Sequence, residues 1–255
     1  MNNQTNRINK GVITAAGLGI RAHPETIYIP KPMLEIGGKP ILQGNIELLR
    51  DKLNIKDIYI VINHLGGKIK RYFGNGTACG VKITYLINNR MKDGLLGAVY
   101  VAMAHIRKPF VCILGEEVYL NSNHENLRYF MDKKDDFDVI CAVLKTNNRE
   151  LIKKNYSVVI HGERITAIKE KPKRIINNLL GCGTYVFNTN FLNYLEKLKD
   201  KSAADKPALM NVVGKLAKNG KNIYAFRLKG EYVNVNTVED LNKANFLIKS
   251  KKANK

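Results

Sequence analysis

Residues 11–40 read GVITAAGLGIRAHPETIYIPKPMLEIGGKP, and the order of apolar, glycine and proline positions in this stretch decides the fold. It opens with a buried strand, GVITAAG, whose apolar run is unbroken, as a strand covered on both faces requires. Gly17-x-Gly19-x-x-Ala22 follows at once and satisfies the dinucleotide fingerprint G-x-G-x-x-G/A. That fingerprint needs a helix starting at its second glycine, so that the helix N-terminus holds a pyrophosphate. Here Pro24, Pro30 and Pro32 come next, each barring a helix at its own position and disfavouring one just before it. The loop is therefore expected to stay extended for roughly twenty residues, which excludes a dinucleotide site. No GK[ST] follows, so a Walker A loop is absent as well. What remains is a long run of backbone N–H groups carrying Arg21 and Lys31. Amides that line an anion and two cations that neutralise it suit a triphosphate. The alternative is a surface loop with two solvated cations.

Outward from this loop, helical and strand-like periods alternate. A helix is expected over ILQGNIELLRDKL, then strand DIYIVIN, a short helix around Lys68–Phe73, strand VKITYLI, helix LLGAVYVAMAHI and strand FVCILG. Helix HENLRYFMD and strand DVICAVL follow. YSVVIHGERITAIKE then breaks the pattern, with two β runs around His161-Gly162-Glu163 that read as a hairpin. Strand GTYVF, helices FLNYLEKL and LMNVVGKLAKN, strand NIYAFRL and a closing helix complete the chain. Thr237-x-x-Asp240 has capping-box spacing at the start of that last helix. The alternation implies an α/β fold: a Rossmann-like mixed, mainly parallel sheet flanked by helices, with a β-rich insertion in the second half. With no repeat and no linker, residues 1–255 read as a single domain, its first half about 8–145 and its second about 146–255.

The composition, 45% hydrophobic and 25% charged, is that of a globular protein and excludes disordered and collagen-like classes. No apolar run reaches the ~18 residues of a membrane helix, and the polar start MNNQTNRINK lacks the apolar core of a leader. Four scattered cysteines without a CxxC pair read as buried thiols in a reducing cytoplasm, with a metal or disulfide role as the alternative. A net charge of +20 raises the question of a nucleic-acid partner. The basic residues are spread along the chain, however, and cluster only in the tail KSKKANK, which is expected to fray. A phosphate-rich small substrate is favoured by the same field. No specific nucleic acid and no membrane span are expected.

AAGLGIRAHPETIYIPKPMLEIGGKPIL resembles the signature of the sugar-phosphate nucleotidyltransferases (nucleoside-diphosphate-sugar pyrophosphorylases), AAGxGTRLxPxTxxxPKPmlxixGKPli. Four further landmarks keep the family order: Asp93-Gly94-Leu95, Leu114-Gly115-Glu116-Glu117, Glu170-Lys171-Pro172, and Asn234-Val235-Asn236-Thr237 before a helix. The resemblance implies the nucleotide-diphospho-sugar transferase type of fold. It also implies attack by a sugar-1-phosphate oxygen on the α-phosphorus of an NTP, most simply a pyrimidine NTP, with pyrophosphate leaving. Such a step depends on positioning and charge neutralisation more than on a general base. Three residues are implied as catalytic. Arg21 would brace the β- and γ-phosphates, Lys31 would sit at the triphosphate, and Lys171 would neutralise the acceptor phosphate. Ala15, Gly17, Leu18 and Gly19 are implied at the nucleotide, where glycine lets backbone approach ligand atoms. Asn89 and Gly94 would lie beside the base, an amide being able to read a pyrimidine edge. Glu170, Gly181 and Thr184 would line the acceptor.

The departures fall on the metal, Mg²⁺ or Mn²⁺, which the resemblance implies. The usual Leu-Gly-Asp-Asp is Leu114-Gly115-Glu116-Glu117 here, and the second metal aspartate is Asn234. Glu116 and Asn234 are thus the expected ligands, with Glu117 as a further candidate. An amide keeps an oxygen but loses the charge, which weakens the hold on a hard cation. Ile20 replaces the usual hydroxyl beside the triphosphate. Two rivals follow: a cytidylyltransferase acting on a non-sugar phosphate or phosphonate, and a nucleotide-binding regulatory protein with impaired catalysis. A homo-oligomer is also open.

Overall fold

The computed structural model describes residues 8–134, 136–198 and 208–253. They form two compact units. The first comprises Asn9–Asn89, Ile113–Ser122 and Gly230–Lys255, and the second is built mainly from Arg90–Cys112 and Asn123–Lys229. The division does not fall near residue 145. Both units are discontinuous in sequence.

In the first unit, strands Lys82–Ile87, Asp57–Ile62 and Lys10–Ala15 lie side by side in that order, all parallel and paired residue for residue. Val12, Ile13, Ile58, Ile60 and Val61 have no exposed surface, as strands covered on both faces require. The crossover helix Ile41–Glu47 continues into a wider π turn, Leu48–Lys52. Leu42, Ile46, Leu49 and Leu53 are buried along it. Gly11 permits this approach, since a Cβ there would lie 2.8 Å from Leu49. A second crossover helix spans Gly66–Phe73. The closing helix Val238–Ala253 begins with the expected box: the Asp240 N–H donates to Thr237 Oγ1 at 3.3 Å and the Thr237 N–H to Asp240 Oδ2 at 3.0 Å. It runs helical to Ala253, further than a frayed tail would; the last two residues lie outside the described chain.

One element of this unit was not anticipated. Glu117–Leu120 and Glu231–Asn234 pair as an antiparallel ribbon, with Glu117 opposite Asn234. Runs of four residues are too short to show a period. What holds the ribbon is burial: Val118, Val233 and Val235 pack with Ala22, Leu34, Ile36, Ile41 and Ala244 in one apolar cluster.

In the second unit five strands pair in a closed circuit. Leu179–Phe187 adjoins Val139–Lys145, then Ile223–Leu228, Arg164–Glu170 and Tyr156–His161, which returns to pair with Leu179–Phe187. The expected hairpin is present, turning at Gly162 with a positive φ of 62°. Leu179–Phe187 is longer than the GTYVF segment read from sequence, and all nine of its residues are buried. The helices Gly94–His105, Glu125–Lys133, Thr189–Glu196 and Leu209–Lys218 occupy the expected segments, and a short helix, Arg149–Lys154, is additional. No described helix is long and apolar enough to cross a membrane.

Cys112, Cys141 and Cys182 are buried, and Cys79 is half-buried. Burial pushes the Cys112 and Cys141 thiols up to about 12. Because the thiolate is the reactive form, iodoacetamide at pH 8 is expected to modify Cys79 alone in the native protein and all four in urea. Peptide mapping checks this, and rapid native modification of Cys112 would contradict the packing described.

Candidate active site

The glycine- and proline-rich loop is not extended. It winds through two 3₁₀ turns, Ile20–Ala22 and Lys31–Met33, with further turns between them. The prolines bar an α-helix, as expected, but Gly19 at φ 72° and Thr26 close the chain locally. The Thr26 hydroxyl donates to the Gly19 carbonyl at 2.7 Å, and the Ala22 N–H to the same oxygen at 2.9 Å. A Cβ at Gly17 would meet no atom within 4 Å. Nothing in the protein's own packing demands glycine there, which leaves room beside the exposed backbone of Gly17 and Leu18. Ala15, at the end of the first strand, is buried. The Ile20 side chain lies outside the described part of the structure.

Lys31 is held between Pro30 and Pro32 at the second turn and is only 7% exposed. Its ammonium lies 3.1 Å from Asn236 Oδ1 and 3.4 Å from Glu116 Oε1. Arg21, exposed on the first turn, donates through Nη2 to the same Asn236 Oδ1 at 2.7 Å. Glu116 follows Gly115, whose N–H donates to the Thr14 carbonyl at 2.9 Å. A Cβ at Gly115 would lie 2.7 Å from that carbonyl oxygen, so glycine is what lets the chain pass close and deliver Glu116. Asn234 is buried at the end of the ribbon, and its Oδ1 accepts from Asn236 Nδ2 at 2.6 Å. Arg21, Lys31, Glu116 and Asn234, drawn from three separate stretches of sequence, thus meet in one cluster of hydrogen bonds and an ion pair around Asn236. The centre of that cluster, Asn236, escaped the sequence reading. Its signal is present in Asn234-Val235-Asn236-Thr237, where the resemblance assigns a role to the first asparagine alone.

Glu117 is placed differently from Glu116. It is 1% exposed, and its two carboxylate oxygens accept from Tyr232 at 2.9 Å and Tyr119 at 3.2 Å. A buried carboxylate satisfied in this way is costly to move. Among the described residues no group of three or more His, Cys, Asp or Glu gathers to hold a metal. The donor set of Glu116 and Asn234 still fits a hard cation such as Mg²⁺, which binds few protein oxygens and fills its shell with water and substrate phosphate.

The second unit carries the remaining residues. Gly94 opens its helix at φ 57°, a conformation that favours glycine, and it is exposed; Asn89, also exposed, precedes it in the first unit. Glu170 ends the strand Arg164–Glu170. Lys171, exposed, stands at φ 42°, with its N–H donating to the Asn155 carbonyl at 2.6 Å. Gly181 and Thr184 are interior. A Cβ on Gly181 would come within 2.0 Å of the Tyr156 ring, and the Thr184 hydroxyl lies 3.2 Å from the imidazole Nε2 of the fully buried His124. Their requirement for small or hydroxylated side chains is thus met by packing.

A strand-end carboxylate and amide thus stand beside two loop cations. The nucleotidyl transferase family profile matches residues 10–251. The chain belongs to this family. Relatives of this nucleotidyl transferase include the bifunctional protein GlmU of Methanocaldococcus jannaschii, 30% identical over 236 residues that cover 92% of this chain and 53% of that one. The chain therefore spans about half the length of such curated relatives. The UTP–glucose-1-phosphate uridylyltransferase AglF of Haloferax volcanii is 28% identical over 235 residues, covering 92% of this chain and 94% of its own. Among solved structures, UDP-glucose pyrophosphorylase complexed with UDP-glucose superposes with a TM-score of 0.81 at 23% identity, covering 96% and 99% of the two chains. The fold is that of the nucleotide-diphospho-sugar transferases.

Proposed function

We propose that this nucleotidyl transferase moves a nucleotidyl group from an NTP, a pyrimidine NTP by preference, to a sugar 1-phosphate, giving an NDP-sugar and pyrophosphate. The observation that carries this reading is the convergence of Arg21 and Lys31 with Glu116 and Asn234. The names of AglF and of a Synechocystis relative, both UTP–glucose-1-phosphate uridylyltransferases, support UTP and glucose 1-phosphate as the first pair to try. The acceptor phosphate is already an anion, so its oxygen attacks the α-phosphorus without a general base. The bond from that phosphorus to the bridging oxygen breaks, and the electron pair leaves on pyrophosphate. Arg21 and Lys31 neutralise the charge that accumulates there. Lys171 would neutralise the acceptor phosphate, and Glu170 would accept from a sugar hydroxyl. Asn89 and Gly94 are the residues assigned to the base. Glu116 and Asn234 would hold a divalent cation, Mg²⁺ or Mn²⁺, which when bound supplies further positive charge at the phosphates. The net charge of +20 favours such anionic substrates with no need of nucleic acid, and buried thiols suit the cytoplasm.

Thermal-shift titration with each NTP, with and without Mg²⁺, tests the donor, since a ligand raises Tm by mass action. UTP, dTTP or CTP is expected to give the largest rise, and pyrophosphate is then expected to be released with a sugar 1-phosphate. A larger rise with ATP or GTP removes the pyrimidine assignment. Pyrophosphate release only with a non-sugar phosphate removes the sugar.

A further inference from the structure

The geometry points to Asn236 as the positioning residue of this site, a single side-chain amide that holds both triphosphate cations in place without neutralising them. The inference deepens the proposed function and rests on its reading of the cluster as a polyphosphate site. Arg21 and Lys31 repel one another, so an acceptor is needed to bring their donors onto one point. Asn236 Oδ1 is that point, at 2.7 Å from the guanidinium and 3.1 Å from the ammonium. Both partners are donors only, which leaves the amide no choice of orientation: oxygen must face the cations. Its nitrogen then faces Asn234, and Asn234 must in turn present oxygen, as the 2.6 Å contact shows. The two cations thereby fix, through one amide, which atom of Asn234 is available as a ligand.

A carboxylate at 236 would bind the same two cations more tightly, but as ion pairs. It would cancel part of the positive charge that an incoming polyphosphate needs, and a phosphate oxygen would have to displace it. A neutral amide accepts charge-assisted hydrogen bonds and leaves the field intact. The amide is itself anchored from behind. The Asn236 N–H donates to Asp240 Oδ2 at 3.0 Å, the carboxylate that also closes the capping box of the last helix. The closing helix is therefore linked to the two cations through Asp240 and Asn236.

The test uses inorganic tripolyphosphate, which has no base, with the full chain in EDTA. Binding is followed by titration calorimetry for wild type, Asn236→Asp and Asn236→Ala, together with Tm and steady-state pyrophosphate release. Asn236→Asp is expected to weaken tripolyphosphate binding about tenfold or more, and to raise KM for the NTP, while Tm holds or rises. Asn236→Ala is expected to bind tripolyphosphate within about threefold of wild type but to lose at least about tenfold in kcat, because the cations keep their charge and lose their placement. Wild-type tripolyphosphate affinity in Asn236→Asp, or a wild-type kcat in Asn236→Ala, overturns the inference. So does a wild type that binds no tripolyphosphate. If the binding contrast holds while wild type releases no pyrophosphate with any NTP and sugar phosphate, the proposed function fails and the role of Asn236 stands.

Discussion

Glu116→Gln is expected to lower kcat/KM for pyrophosphate release by roughly a thousandfold, the scale seen when one preorganised charged or hydrogen-bonding group is taken from a reacting phosphate or acyl centre. Glu116 is the carboxylate that meets Lys31, which shares Asn236 with Arg21. Its neighbour Glu117 is buried, with both oxygens bound by tyrosine hydroxyls. Stability should hardly change. The Lys31–Glu116 pair is loose at 3.4 Å and the glutamate side chain is 24% exposed, so the pair contributes at most about 1 kcal/mol. That corresponds to a few degrees in Tm for a chain of this size. Glu117→Gln is the control and should reverse the pattern, losing stability with less effect on the rate. Asn234→Asp should lower the Mg²⁺ concentration at half-maximal rate, since it restores a charge to an oxygen ligand. Pyrophosphate release against Mg²⁺ and Mn²⁺ measures all three. A fully active Glu116→Gln would shift the metal assignment to Glu117. A silent wild type revived by Asn234→Asp would mark the chain as a nucleotide-binding protein with impaired catalysis.

The second large effect is expected at Lys171. Lys171→Gly should reduce kcat/KM for the sugar phosphate at least about a hundredfold and leave the thermal shift given by the NTP alone unchanged. Glycine separates the side chain from the backbone. At φ 42° a lysine is strained by about 1–2 kcal/mol, which glycine relieves, while the greater freedom of glycine in the unfolded chain costs about 0.5–1 kcal/mol. The two nearly cancel, so lost turnover cannot be put down to misfolding. An exposed lysine held in this conformation invites a functional reason for it. If Lys171→Gly uses the sugar phosphate as well as wild type does, the acceptor-phosphate role is removed, and with it much of the case for a phosphorylated acceptor.

Legibility in the sequence followed the length over which a pattern repeats. The parallel strands around Val12 and Ile60 and the long helix Gly94–His105 were readable because six to twelve residues carry a clear apolar signal. The ribbon pairing Glu117 with Asn234 was not, since each strand has four residues and their pairing depends on a cluster assembled from distant segments. The site divides in the same way. Arg21, Lys31 and Glu116 stand in motifs whose residue types point to phosphate chemistry, and they do meet. Gly181 and Thr184 sit in a strand whose burial was underestimated, because Gly181 and Gly183 interrupt its apolar run. Only the folded chain brings Tyr156 over one and His124 against the other. Asn236 was hidden because an amide in a loop carries no preference of its own; its partners lie more than two hundred residues earlier.

That last separation has a consequence for biosynthesis. On a ribosome, domains form as their segments emerge, and contacts between remote segments form last. The five-stranded circuit is complete in sequence at Lys229, whereas the cluster around Arg21 and Lys31 waits for Asn234 and Asn236. A nascent chain therefore completes its strand circuit before Arg21 and Lys31 can be joined by Asn234 and Asn236. Products that stop short of Asn236 would carry Arg21 and Lys31 without the amide that gathers them.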